Sequence, residues 1–256
     1  MTLPEATARL IEVFSAIQGE GLNVGTRQIF VRFALCDLRC QYCDSPHTWS
    51  VPSVCRRERS PGVRDFETHA NPVTLSALLG WVERLNLPGL HDSIAITGGE
   101  PLLHAAFLQQ FLPQVRRTGL PIYLETGGHR PQQLAMLLPY LDMVGMDLKL
   151  PSVSKEAHWQ AHSEFLERCY HADVEVFVKI IVSSTTDVTE LERAAALVAA
   201  VSPEIGVFLQ PVTPPERELQ ILSPTPAQVL TWQAAMKKSL KSVRVVPQTH
   251  KMLNQL

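Results

Sequence analysis

Short runs of β-branched and aromatic residues alternate along the chain with stretches whose apolar positions recur every three or four residues. The short runs predict strands over Gln28–Leu35, Ser93–Thr97, Pro121–Glu125, Met143–Asp147, Val174–Val182, Ile205–Gln210 and Ser242–Val246. The other stretches predict helices over Leu75–Leu85, Ala105–Arg117, Pro131–Leu138, Lys155–Cys169, Val188–Val201 and Pro226–Leu240. In the first helix Leu75, Leu78, Leu79, Val82 and Leu85 share one face. Strand–helix alternation of this kind predicts an α/β fold of βαβ units with a parallel sheet, wound by right-handed crossovers into a barrel or an open sheet.

One segment breaks the pattern. Trp49–Pro72 carries prolines and mixed charges without periodicity, and predicts a long loop or insertion within a single domain spanning 1–256. Its Arg56-Arg57-Glu58-Arg59 run reads first as a solvated surface and second as an anionic-ligand contact. With 45% hydrophobic and 19% charged residues the chain has an ordinary globular balance. A net charge of −2 supplies no basic field for nucleic acid. The sequence holds no apolar run of membrane-spanning length and no basic-then-apolar leader, so the expected compartment is cytoplasmic, with no membrane partner.

Polar motifs stand where strands end. Strand one runs into Cys36, Cys40 and Cys43, strand two into Gly98-Gly99-Glu100-Pro101, and strand three into Glu125-Thr126-Gly127-Gly128. Asp147-Leu148-Lys149 and Gln210-Pro211 end later strands. In parallel α/β folds ligands bind at the carboxyl ends of strands, so these motifs predict one shared site.

The spacing Cys36-x3-Cys40-x2-Cys43, on a loop after a strand, lets three thiolates converge. Sulfur-rich sites select zinc or iron–sulfur clusters. A structural zinc site wants four protein ligands. Cys55 and Cys169 stand alone, and His47 breaks the usual pairing pattern. A [4Fe–4S] cluster is normally held by four cysteines, so three leave one iron open. The polar residues among and just after them, Asp37, Arg39, Gln41 and Asp44, argue against three buried hydrophobic cysteines.

The cysteine motif with Tyr42 before its last cysteine resembles the radical S-adenosylmethionine superfamily, as does Gly98-Gly99-Glu100-Pro101. That resemblance implies a partial (β/α)6 barrel with a C-terminal extension. It also implies a [4Fe–4S] cluster on Cys36, Cys40 and Cys43. The amino and carboxylate groups of S-adenosylmethionine would chelate the cluster's open iron, and an electron from the cluster would cleave it to a radical that takes hydrogen from substrate. Phe14–Gly21 (FSAIQGEG), Cys43-Asp44-Ser45 before Thr48-Trp49, and Thr249-His250-Lys251 narrow the resemblance to the 7-carboxy-7-deazaguanine synthase family. That family implies conversion of 6-carboxy-5,6,7,8-tetrahydropterin to 7-carboxy-7-deazaguanine, with ring contraction and loss of ammonia, in 7-deazapurine (queuosine) biosynthesis. It implies magnesium, a flavodoxin- or ferredoxin-type electron donor and a homodimer.

Carried over by position, the resemblance implies cofactor contacts at Tyr42, Cys43, Asp44, Gly99, Glu100, Asp147, Leu148, Lys149, Gln210, Pro211, Val212 and Thr213. It implies substrate contacts at Ile17, Gln18, Gly19, Arg32 and Thr97, and at the last residue of the 241–256 tail, Leu256. Ser45 stands where the family usually has a magnesium-binding threonine, and keeps the hard hydroxyl oxygen. Glu20 would meet the guanidine-like edge of the pterin, Glu125 and Lys179 would form an interior pair, and His250 and Lys251 would lie near the site. Two other classes stay open at this point: an activase that installs a glycyl radical on a partner, and a zinc-binding structural module.

Overall fold

The computed structural model describes residues 4–214 and 220–255. Its strands are β1 (Thr7–Ala8), β2 (Leu10–Ile17), β3 (Arg27–Phe33), β4 (Val54–Glu58), β5 (Phe66–Ala70), β6 (Val73–Thr74), β7 (Ser93–Gly98), β8 (Ile122–Thr126), β9 (Met143–Asp147), β10 (Glu175–Val182), β11 (Gly206–Pro211) and β12 (Val243–Val245). Its helices are α1 (Leu75–Leu85), α2 (Ala105–Val115), α3 (Pro131–Ala135), α4 (Pro151–Ser154), α5 (Trp159–His171), α6 (Val188–Val201), α7 (Pro226–Met236) and α8 (Thr249–Met252).

One ten-stranded sheet organises the chain, in the order β12-β11-β10-β9-β8-β7-β3-β2-β4-β5. From β3 through β7 to β12 every neighbouring pair is parallel, which is the predicted α/β arrangement. β12 is the addition near the C-terminus. The apolar faces of the helices and one face of the sheet form the main core, with Phe33, Phe111 and Phe165 fully buried.

The other face of the parallel strands carries the function. Side chains alternate across a strand, so residues two apart share a side. A lower layer of Phe30, Ala95, Tyr123, Phe177 and Phe208 packs with Phe14 into a second apolar cluster. One pleat further towards the carboxyl ends stand Arg32, Thr97, Glu125, Asp147, Lys179 and Gln210. An aromatic floor therefore lies beneath a polar ring. Gly145 completes the floor, because a Cβ there would sit 2.4 Å from the Tyr123 hydroxyl and 2.8 Å from Phe177.

Three expectations are corrected. Trp49–Pro72 is not a loop: β4 and β5 form an antiparallel hairpin that joins the main sheet through β2. Its alternation is hidden because charged residues occupy both faces. Arg57 turns inward to pair with Glu67, and buried Glu58 accepts the Ser15 and Arg64 amides, each at 2.8 Å. β2 itself escaped prediction because it is buried along nearly its whole length and shows no polar alternation. The helix expected at Lys155–Cys169 starts at Trp159, since Lys155 has φ 64 and ends α4 instead. The expected ends of α2, α3 and α7 are also later than those observed.

Candidate active site

Above the aromatic floor opens a cavity of about 460 Å³ that receives residues from all the strand-end motifs. Its polar ring is cross-linked. Glu125 accepts from Gln18 Nε2 at 2.6 Å and from Thr97 Oγ1 at 2.7 Å. Lys179 pairs with Glu20 and, at 3.1 Å, with Asp147, whose other oxygen takes Lys149 at 2.8 Å. Gln210 and Gln248 donate to Glu20 at 3.0 and 2.8 Å. Burial opposes the charge on Asp147, but Lys149 and Lys179 outweigh it and hold the carboxyl below its ordinary range. Burial likewise opposes the Lys179 ammonium, but Asp147, Glu20 and Glu125 push it above its ordinary range. In place of a direct Glu125–Lys179 bond, Glu125 accepts from amide and hydroxyl donors and Lys179 bonds to Glu20 and Asp147, with Glu125 acting on Lys179 through its charge.

The cysteine loop crosses one side of this cavity. It is fastened to the glycine motif by backbone bonds from Gly99 N to Phe33 O (3.2 Å) and Glu100 N to Leu35 O (2.8 Å). A Cβ on Gly99 would meet Leu35 O at 2.2 Å and Cys36 Cβ at 2.8 Å, so only glycine permits this approach. Cys36, Cys40 and Cys43 form no disulfide and all line the cavity. Burial pushes the Cys36 thiol up to about 12 and raises Cys40 and Cys43 as well. A positive metal centre would supply the charge that water does not.

The three sulfurs do not all lie within 4.8 Å of one another. Among the described residues, the one group of three metal-ligating side chains whose donor atoms lie within 4.8 Å of one another is Glu20, Asp44 and His250. Thiolates around a single zinc ion, each at about 2.3 Å, would crowd closer than the three cysteines do. That arrangement disfavours a structural zinc module on these three sulfurs alone.

Glu100 is fully buried and its carboxylate is taken up internally. It accepts from Leu102 N at 3.0 Å, Thr126 Oγ1 at 2.9 Å and Gly127 N at 2.9 Å. This ties the turn after β7 to the turn after β8. Burial raises its pKa, with those donors and His129 pulling the other way.

The chain's end closes the cavity opposite. Thr249 N donates to Gly19 O at 3.0 Å, Gln248 Nε2 reaches Asp44 at 2.8 Å and Lys251 reaches it at 3.2 Å. Burial works against the Asp44 charge, but Lys251, Gln248 and Ser45 outweigh it and hold the carboxyl at about 2. Ser45 Oγ lies 3.1 Å from Asp44 Oδ1, so a hydroxyl and two carboxylates, Asp44 and Glu20, stand together as hard oxygen donors.

Of the residues expected here, Ile17, Gln18, Gly19, Arg32, Tyr42, Asp44, Ser45, Thr97, Gly99, Glu100, Asp147, Lys149, Gln210 and Val212 line the cavity. Leu148 points into the core, Pro211 and exposed Thr213 lie off the cavity, and Leu256 falls outside the described residues. The sequence reading passed over Gln248, Tyr123, Phe177 and Glu12, which also line it. For Tyr123 and Phe177 the signal was present, two positions before Glu125 and Lys179 on the same strands. Gln248 carried no pattern of its own.

Residues 31–206 match the radical S-adenosylmethionine superfamily. The chain is 43% identical over 252 residues to the 7-carboxy-7-deazaguanine synthase of Geobacter sulfurreducens, covering 97% of this chain and 98% of that one. It is 32% identical to the enzyme of the same name from Thermococcus kodakarensis, over 96% and 98% of the two chains. The crystal structure of QueE from Escherichia coli shares the fold with a TM-score of 0.60, at 20% identity and 94% coverage of each chain. By the superfamily match over residues 31–206 and the identity that spans nearly the whole chain, the chain belongs to the radical S-adenosylmethionine superfamily and, within it, to the 7-carboxy-7-deazaguanine synthase family.

Proposed function

We propose that the chain converts 6-carboxy-5,6,7,8-tetrahydropterin to 7-carboxy-7-deazaguanine with loss of ammonia, a step of 7-deazapurine (queuosine) biosynthesis. The observation that carries this reading is the single cavity in which the cysteine loop faces Gln18, Thr97, Glu125 and Arg32 across an aromatic floor. The planar pyrimidinone half of the pterin suits a floor of Phe30, Tyr123 and Phe177. The Gln18 amide, the Thr97 hydroxyl and the Glu125 carboxylate suit the mixed donors and acceptors of a pterin edge.

Cys36, Cys40 and Cys43 would hold the [4Fe–4S] cluster, and the donors fit because all three sulfurs stand on one loop beside the cavity and none is tied up in a disulfide. When bound, the cluster supplies the electron that starts radical chemistry on S-adenosylmethionine. The chain's own residues position the reactants. The backbone at Gly98 and Gly99 and the buried Asp147–Lys149 pair border the space for S-adenosylmethionine. Val212 and Gln210 border the same space from β11 and the turn after it. Ser45, with Asp44 and Glu20 beside it, would hold magnesium. A flavodoxin- or ferredoxin-type donor, a homodimer and a cytoplasmic location belong to this reading; none of the described helices is long and apolar enough to cross a membrane.

The test is anaerobic incubation of cluster-loaded protein with S-adenosylmethionine, a reductant, magnesium and the carboxytetrahydropterin, with no partner protein added. Formation of the deazaguanine supports the reading. Protein that carries about four irons per chain and yields none overturns it.

A further inference from the structure

The Arg56-to-Arg59 run has a use that its charge alone does not reveal. β4 lies beside β2 with Arg56 level with Glu12, and β3 lies on the other side of β2 with Arg32 level with the same residue. Glu12, only 4% exposed, therefore stands between two guanidiniums in register across three strands. Arg32 Nε reaches one of its oxygens at 3.0 Å and Arg56 Nη2 reaches the other at 2.5 Å. Phe14 lies 5.6 Å from the Arg32 guanidinium and Phe66 lies 4.7 Å from that of Arg56, which fixes both planes. All three charged side chains line the cavity.

One carboxylate balances one of the two guanidiniums and leaves one positive charge. Among the described residues, the two terminal nitrogens of Arg32 and the other two side-chain nitrogens of Arg56 meet no protein acceptor. A planar guanidinium with a free edge facing a cavity is a carboxylate receptor, because its fork matches two oxygens at once. Glu12 uses one donor of each arginine and turns the remaining donors away from itself.

We propose that Glu12, Arg32 and Arg56 form a carboxylate clamp. Arg56, delivered by the β4–β5 hairpin, binds the substrate's carboxylate as the second guanidinium and selects carboxylated over uncarboxylated pterins. This rests on the pterin reading above and deepens it. Arg56 is a specificity residue contributed by the 49–72 segment, and Glu12 is a positioning residue that acts through the two arginines.

The test uses Arg56→Ala and Arg56→Lys beside the wild type. Arg56 is half exposed on a hairpin, so both variants should fold. Ligand fluorescence gives the affinities for 6-carboxypterin and for pterin, which lacks the carboxylate. Anaerobic kinetics give KM and kcat with the carboxytetrahydropterin. Arg56→Ala should weaken 6-carboxypterin about tenfold or more, as expected for a charge-assisted bond, and leave pterin binding unchanged. KM should rise by a similar factor with kcat retained, and Arg56→Lys should recover part of the loss. Unchanged affinity for 6-carboxypterin, or an equal loss for both ligands, overturns the clamp. A wild type that neither binds nor converts any carboxylated pterin overturns the functional reading instead.

Discussion

Gly98 sits at φ +142, and a Cβ there would fall 2.2 Å from the Phe33 carbonyl oxygen, an atom already committed to the Gly99 amide. Gly98→Ala should therefore strain the backbone and cost about 2–3 kcal/mol, read as a lower denaturation midpoint together with reduced iron content. The cysteines separate by environment in the same way. Cys36→Ala, Cys40→Ala or Cys43→Ala should abolish iron binding. Cys55 is 1% exposed in the main core, so Cys55→Ala should keep its iron and lose only about 1–2 kcal/mol of stability. Iron analysis of the four variants checks this, and iron loss in the Cys55 variant would contradict the ligand assignment. Residues whose type announces chemistry were legible in the sequence: the cysteines, the glycine turn, Gln18 and Asp147. Glu100 was legible as a motif but not in its bonding, because burial under Thr126 and Gly127 is a tertiary fact. Gln248 and Glu12 were not legible at all, since an amide near the tail and a lone acid in an apolar run gain meaning only from their neighbours.

Strand ends and the tail helix decide how the site closes. A Cβ on Gly19 would lie 2.4 Å from the His250 amide nitrogen, so Gly19→Ala should displace α8 while leaving the sheet intact. The expected result is a raised KM and faster proteolysis at Lys251, with a midpoint of thermal unfolding close to the wild type. Limited proteolysis and steady-state kinetics test it, and unchanged cleavage at Lys251 would show that the tail does not depend on this contact. The parallel strands were readable because each is a short apolar run ended by turn residues. β4 and β5 were not, because the charges on their inner faces find partners only in the folded hairpin: Arg57 pairs across it with Glu67, and Glu58 accepts the Ser15 amide of β2. β2 was not, because burial on both sides removes the alternation that marks a strand.

At the scale of the molecule, two buried histidines make stability depend on pH. His91 bonds to Ser15 at 2.8 Å and His162 to the Gly127 carbonyl at 3.0 Å, and both are more than nine-tenths buried. Burial lowers His91 to about 4 and His162 to about 3. The unfolded chain takes up these protons near pH 6.5 while the folded chain does not. Stability is therefore complete above about pH 6.5 and declines as the pH falls towards these lower values, each histidine adding up to about 1.4 kcal/mol per pH unit. Denaturant titrations between pH 7 and 5 should show this slope, and His91→Gln should flatten it.

The whole-molecule claim is that one cavity brings the cysteine loop and a carboxylated pterin together without help from another polypeptide. The most direct measurement follows carboxytetrahydropterin, 7-carboxy-7-deazaguanine, ammonia and S-adenosylmethionine in a single anaerobic time course with purified, cluster-loaded protein, magnesium and a chemical reductant. The account predicts one deazaguanine and one ammonia for each pterin consumed. Protein with its cluster intact and reduced that forms no deazaguanine, or forms it only when a protein other than an electron donor is added, would contradict it.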